Sequence, residues 1–362
     1  MNLIKIAIAF LIVAFSNTVS TAQTINTEPL DAYWQMIDKL KQGDSLSRET
    51  WKRFLKIEAN ETYVKNQGFD SAYLEGLRKA IEIVYMPKYD SLLRKRVKDT
   101  MTYWRIYKVN NYKVHEKELK DYQNTILQPG YFDSLYNSAW EWLPKRLHKK
   151  DSSTTIYLLG IENDAIAGGH TMILTLWTAY NQDKLKSGIL TGHEMHHILR
   201  KPVEFKNVED QDKGIIYALN VVLNEGSADM IDKKINLANK ANLPFELYFA
   251  DLLLEQADSI INQLDSNLIK MAESGGKTFK TERDYRNLIK WTSGHCPGYY
   301  MADIIVRNGY KKQLVENVQN PFLFIYLYNQ AAKKDQKHPP VFSATAIAYV
   351  KHLEKKYWGK EE

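Results

Sequence analysis

Two histidines and a glutamate near the middle of the chain have a spacing that suits metal chemistry. Residues 190–199 read LTGHEMHHIL, so His193, Glu194 and His197 form the pattern H-E-x-x-H. Residues four apart lie on one face of a helix, so both imidazoles can bind one zinc ion. Glu194 is turned by about 100° from His193, beside the open coordination position. The pattern predicts a catalytic zinc ion with Glu194 as the general base that takes a proton from water.

A second segment supplies the third ligand that a catalytic zinc site needs. Apolar residues at helical spacing lead into the sequence NEGSAD at 224–229. Glu225 and Asp229 are four apart and share a helix face. We predict that Glu225 binds the metal and that Asp229 accepts the other ring N–H of a zinc histidine. The small residues Gly226 and Ala228 would let this helix approach the first one closely.

The chain has H-E-x-x-H followed by N-E-x-x-A-D, whose glutamate lies 28 residues after His197. This combination resembles the gluzincin (thermolysin-like) zinc metallopeptidases. The resemblance covers about residues 156–232. It implies one Zn²⁺ on His193, His197 and Glu225, catalysis by Glu194, and Asp229 as the partner of the first histidine. The chain also looks like a group of uncharacterised bacterial proteins assigned as zinc-dependent peptidases. A metzincin is excluded, because no glycine or third histidine follows at the required positions.

In gluzincins an edge strand before the zinc helix binds the substrate by backbone pairing. Residues 170–177 occupy the matching place in this chain, and the glycines at 168 and 169 would let a ligand backbone approach closely. Gly169 and His170 are therefore candidate substrate-binding residues. An ordinary strand with a flexible glycine lead-in is the alternative.

Gluzincins also use a tyrosine or histidine from farther along the chain to stabilise the oxyanion. The segment 293–300, SGHCPGYY, places His295 and Tyr299 at the entrance of a predicted helix with Pro297 in its first turn. Both are candidate catalytic residues, with packing or capping as the alternative role.

Two further residues have an open interpretation. Gly160-Ile-Glu162-Asn is similar to the G-x-M-E-N motif of the related aminopeptidases but one residue short, so Glu162 is either an amine anchor or a loop acid. His196 lies three residues after His193, but only His197 completes the metal pattern. We therefore predict a flanking or surface position for His196.

The rest of the chain predicts an α+β fold that is predominantly helical. Apolar residues recur at helical spacing from 27 to 148, two strands are predicted at 154–159 and 170–177, and the helical period returns from Lys186 onward. A gluzincin-like catalytic core would then comprise 151–362, with the small sheet before the zinc helix. A helical amino-terminal region would comprise 23–150.

The first 22 residues have the pattern of a signal peptide. Lys5 precedes an apolar run over 6–15, and small residues end at Ala22, where cleavage is expected. The protein is thus predicted to be secreted or periplasmic, although a retained membrane anchor is the alternative. No later apolar run is long enough for a membrane span. Cys296 stands alone and cannot form an internal disulfide.

The formal net charge of +6 is spread along the chain without a basic block, so nucleic-acid binding is not indicated. The predicted partner is a peptide or protein substrate. Two other functions remain open: an inactive, zinc-stabilised binding protein of the cell envelope, and a zinc hydrolase that acts on a non-peptide bond. The sequence leaves open the oligomeric state and the choice between endopeptidase and aminopeptidase.

Overall fold

A computed structural model describes residues 23–248, 250–289 and 293–358, with the side chains of 250–253 excepted. The predicted signal peptide, residues 1–22, lies outside this part of the chain. Among the residues that the structure describes, no helix is both long and apolar enough to cross a membrane.

Short helices precede the sheet, as the helical spacing of apolar residues predicted. In the first helix, for example, Leu30 and Ile37 are fully buried on one face. The helices are α1 (Glu28–Lys41), α2 (Arg48–Leu55), α3 (Glu58–Gln67), α4 (Ser71–Tyr85), α5 (Asp90–Arg96), α6 (Trp104–Val114), α7 (Glu116–Ile126) and α8 (Pro129–Trp140).

A small mixed sheet follows, with strand order β1-β2-β4-β3. β2 pairs in parallel with β1 and β4, and β3 is antiparallel to β4. The strands are β1 (Ile25–Asn26), β2 (Thr155–Leu159), β3 (Ala165–Gly168) and β4 (Thr171–Thr175). The α+β class with a predominance of helix is therefore confirmed.

The strand that we predicted at 170–177 differs from the observed β4 in length and in place. β4 ends at Thr175 because Leu176 begins a helix, and it has a neighbour on each side, so it is not an edge. The edge strands are β1 and β3, and the sequence did not predict β3. Its residues Ala-Ile-Ala-Gly are too small and too few to show the alternation that identifies a half-buried strand.

Helices form most of the chain after β4. The two that matter for the site are α10 and α11, which carry the predicted metal ligands. The helices are α9 (Leu176–Asp183), α10 (Ile189–Arg200), α11 (Asp210–Ala238), α12 (Ala250–Glu273), α13 (Glu282–Leu288), α14 (His295–Ile305), α15 (Lys311–Glu316), α16 (Pro321–Ala332) and α17 (Ala344–Tyr357).

The buried apolar side chains form two clusters. The first joins the amino-terminal helices, the sheet and one side of α10, through Leu190, Met195 and Leu199. The second joins α11 to the later helices and includes Leu219 and Ile304. α10 and α11 therefore belong mainly to different clusters and meet where the metal ligands lie. The division into regions 23–150 and 151–362 stays a prediction.

Asp183, the last residue of α9, holds the start of α10. Its carboxylate accepts hydrogen bonds from the backbone N–H of Gly188 at 2.9 Å and from the hydroxyl of Tyr122 in α7 at 2.7 Å. Gly188 has a φ of +73°, and a Cβ there would come within 2.7 Å of the backbone of Leu135 in α8, so glycine is required. Burial raises the pKa of Asp183 to about 6, although these hydrogen bonds lower it.

We expect Asp183→Asn to gain stability relative to the parent protein as the pH rises from about 4 to 7. An unfolded Asp titrates near pH 4. Between that value and about 6, the folded protein keeps a proton that the unfolded chain has lost, so the parent's free energy of unfolding falls as the pH rises. The change should be on the order of 2 kcal/mol. Urea unfolding with a chelator present measures it. The exposed Asp133→Asn is the control, and parallel curves for Asp183→Asn and the parent would contradict the assignment.

Candidate metal centre

Helix α10 is buried on nearly all sides, because it passes between the two apolar clusters. Gly192 lets α8 approach, since a Cβ there would lie 2.6 Å from the Cβ of Ser138. Thr191 is hydrogen-bonded to Tyr131 of α8. Packing of this kind fixes the rotation of α10 and with it the direction of the histidines.

The structure brings His193, His197 and Glu225 together, as the motif predicted. The two Nε2 atoms are 3.1 Å apart, and Oε2 of Glu225 lies 3.8 Å from that of His193 and 3.4 Å from that of His197. The amide of Asn224 donates to the other oxygen of Glu225 at 3.0 Å, which leaves Oε2 directed at the histidines.

These distances fit a zinc ion. Tetrahedral ligands at 2.0–2.1 Å from zinc lie about 3.4 Å from one another, and the three separations scatter around that value. Burial raises the pKa of Glu225, but His197 and His295 outweigh burial and hold it well below its usual range, so this ligand is anionic. Two imidazoles and one carboxylate are also the ligand set of zinc sites that keep a position open for catalysis.

Asp229 does not hold the first histidine as the resemblance implied. Nδ1 of His193 lies 3.0 Å from Asp232 and 3.8 Å from Asp229. Asp232 follows one turn later on α11, and Lys233 donates to its second oxygen at 2.8 Å. The crossing of α10 and α11 therefore brings Asp232 rather than Asp229 to the ring. Asp232 would fix the tautomer that leaves Nε2 of His193 free for the metal.

Asp229 instead pairs with His295, the first residue of α14. Nδ1 of His295 lies 2.8 Å from Asp229 and 3.4 Å from Glu225. Burial lowers the pKa of His295, but these two carboxylates outweigh burial and raise it overall. A group of His193, Asp229 and His295 could also surround an ion. His193 belongs to both groups, so one ion position would exclude the other as long as each uses the same ring nitrogen of His193.

Glu194 lies in the cavity beside the three ligands. Among the residues that the structure describes, its carboxylate forms no hydrogen bond or ion pair. Burial raises the pKa of Glu194, and Glu225 adds to this, while the two zinc histidines lower it. A carboxylate without a fixed partner and with a raised pKa can accept and release a proton, as a general base must.

Gly226 brings α14 against α11, which is a different role from the one predicted. A Cβ on Gly226 would lie 2.4 Å from the carbonyl oxygen of Gly298 in α14, and one on Gly298 would lie 2.5 Å from the carbonyl oxygen of Val222. Gly226 therefore allows close contact with α14, the helix that carries His295. This backbone contact fixes His295 relative to Glu225.

A cavity of about 1070 Å³ opens over the ligands. Glu194 and His295 line it together with the edge strand β3 and Gly169, whose φ is +58°. His170 does not line it, because its ring turns outward and its Nδ1 is hydrogen-bonded to Ser153. Tyr299 is 4% exposed in the second apolar cluster and is also outside the lining. The edge strand at this cavity is β3 and not residues 170–177.

Burial corrects the prediction for His196, and an ion pair favours the loop acid over the amine anchor for Glu162. His196 is fully buried against the backbone of Trp142, because α8 covers that side of α10, so it is not a surface residue. Glu162 lines the cavity, but it forms an ion pair with Lys108 and accepts a hydrogen bond from Tyr73 at 2.7 Å. This carboxylate is already neutralised, which does not suit an amine anchor.

Comparison with known proteins gives one family. Residues 51–337 match the family model DUF5700, whose description reads "Putative zinc dependent peptidase". The chain belongs to this family. Neither the curated proteins nor the solved structures yield a match. The family supports zinc dependence and a peptidase in general, and it does not extend to the finer gluzincin assignment.

We expect Asp232→Asn to lower zinc affinity by about 10- to 100-fold, because loss of the carboxylate beside a ligand histidine has effects of that size. Asp229→Asn is the matched control, since Asp229 is equally buried but bonded to His295. Its effect on zinc affinity should be several-fold smaller. Competition with a chromogenic chelator measures both affinities. A larger loss in Asp229→Asn would restore the original assignment.

Gly226→Ala should destabilise the protein by about 1 to 3 kcal/mol or more, because the new methyl would overlap backbone atoms of Gly298 that cannot move aside locally. Gly130→Ala is the control, since its Cβ would meet open space on a helix. Thermal unfolding of the chelated proteins compares them. Equal melting temperatures for Gly226→Ala and the parent would show that α11 and α14 are not in such close contact.

Proposed function

We propose that the protein is an exported zinc-dependent peptidase that hydrolyses peptide bonds with Glu194 as general base. The observation that carries the proposal is the convergence of His193, His197 and Glu225 at the separations of a zinc ligand set. Glu194 stands beside them in a cavity that an edge strand also lines. The family to which the chain belongs supports the same chemistry in general.

Each residue of the site has a separate role in the proposed reaction. A zinc ion on the three ligands would supply Lewis acidity, which acidifies water and polarises the substrate carbonyl. Glu194 takes the proton from the attacking water and delivers it to the leaving amine. His295 donates a hydrogen bond to the oxygen that gains negative charge, while Asp229 holds its ring. Tyr299 is less well placed for this role, since it lies outside the cavity lining.

Substrate would bind along β3. The strand has one neighbour, so the backbone groups of its other edge can pair with an extended peptide. Gly168 and Gly169 end the strand at the cavity, and a Cβ at either position would meet nothing within 4 Å, so a ligand backbone has room there. The substrate strand that we predicted at residues 170–177 is thus replaced by 165–168.

Export is part of the proposal and rests on the pattern of residues 1–22, with cleavage after Ala22. Cys296 is buried, which shields it from pairing with another chain after export. The amino-terminal residue of the protein recovered from culture, read by mass spectrometry, locates the cleavage site.

Glu194→Gln should keep zinc and lose about 10²- to 10⁴-fold in kcat/KM on peptides, because the base is gone while the ligands remain. Glu225→Ala should lose the metal itself. Zinc content by mass spectrometry and cleavage of a peptide library measure the two effects. The control is Glu204→Gln, an exposed acid in the loop after α10.

Full peptidase activity in Glu194→Gln would overturn the role of the base. Equal zinc content in Glu225→Ala, or in His193→Ala, would reject the ligand set. Hydrolysis of esters but not of peptides would favour a non-peptide substrate, and zinc binding without any turnover would favour a binding protein.

A further inference from the structure

Part of the cavity wall comes from the amino-terminal helices and the loop before β3. Tyr63 and Gln67 of α3 lie there with Phe69, Tyr73 and Asp164. The rings form a chain of contacts, since Phe69 stacks on Tyr73 at 4.2 Å and meets Tyr63 edge to face at 6.2 Å. The wall is therefore aromatic, with polar groups interleaved.

Most charges that line the cavity are already paired. Lys108 forms an ion pair with Glu162, and Lys233 forms one with Asp232. Glu194 and Glu225 belong to the proposed metal centre. The remaining charge is Asp164, which forms no ion pair with any residue that the structure describes.

Asp164 is held in place by neutral donors. The side-chain amide of Gln67 donates to Oδ2 at 3.0 Å, and the backbone N–H of Ala165 donates to Oδ1 at 2.8 Å. Its carbonyl oxygen accepts from Thr175 of β4, which fixes the backbone at the start of β3. The carboxylate is thus oriented without being neutralised, and its side chain remains exposed.

The protein around Asp164 compensates its charge only in part. The protein atoms that surround it raise its pKa, and this outweighs the hydrogen bonds from Ala165 and Gln67 and the charges of His295 and Lys233, which lower it. A negative charge that is only partly solvated and lacks a counter-ion favours a bound cation.

We propose that Asp164, oriented by Gln67 and flanked by the Tyr63–Phe69 wall, is a specificity site that binds a positively charged amine or guanidinium of the substrate. The inference rests on the proposed peptidase function. Two kinds of substrate group have this chemistry: the side chain of Lys or Arg, and a free amino terminus. Asp164, rather than the paired Glu162, is the carboxylate available to such a group.

The test compares blocked alanine octapeptides that carry one Lys or one norleucine at each position in turn. The unblocked and the acetylated parent peptides form a second pair. For the parent protein we expect kcat/KM to be about tenfold or more higher for the favoured cationic member of a pair. Asp164→Asn should abolish that preference and leave the rate on neutral peptides within about twofold. Asp44→Asn, an exposed acid outside the cavity, is the control.

The two pairs distinguish the source of the cation. A preference confined to Lys peptides assigns a side-chain subsite, and one confined to the unblocked peptide assigns recognition of the amino terminus. No preference in the parent protein, or an equal loss on cationic and neutral peptides in Asp164→Asn, overturns the inference.

A binding measurement separates failure of this inference from failure of the proposed function. Calorimetric titration of zinc-loaded Glu194→Gln, with and without Asp164→Asn, uses the same peptides. If no peptide is cleaved, a cationic preference in binding that disappears with Asp164→Asn still supports the site. Equal binding of both members of every pair rejects it.

Discussion

The structure depends on the placement of several charges in the space between two helices. Glu225, Asp229 and Asp232 of α11 are carboxylates with little access to solvent, and they face histidines of α10 and α14. Burying a carboxylate costs several kcal/mol unless a partner compensates it. Each of the three has a histidine within 3.4 Å. Removal of one partner therefore leaves the other buried without a compensating charge.

The same set joins two parts of the protein that pack separately. α10 contributes its apolar residues mainly to the cluster with the sheet, and α11 and α14 belong to the other cluster. The ligands from α10 and α11 meet across this junction. Gly226 and Gly298 hold α14 directly on α11, so His295 keeps its distance to Glu225 whatever small displacement occurs between the clusters.

The sequence predicted those features that are set by geometry within one helix. His193 and His197 lie together because four residues make about one turn, and Glu225 was found because its motif is local. The choice between Asp229 and Asp232 depends on the crossing of two helices, which no local pattern contains. β3 was missed because four small residues carry no alternation. The pairing of Glu162 with Lys108 joins segments far apart in the chain and was equally hidden.

The shortness of β3 restricts its pairing with other chains. An unpaired strand edge on a protein surface can accept the edge of any other sheet, and short strands are one protection against this. β3 has four residues and lines a cavity, so it offers few backbone groups for pairing with another sheet. Under the proposed function, the same short edge would pair with only a few residues of an extended segment, such as a loop or a chain end.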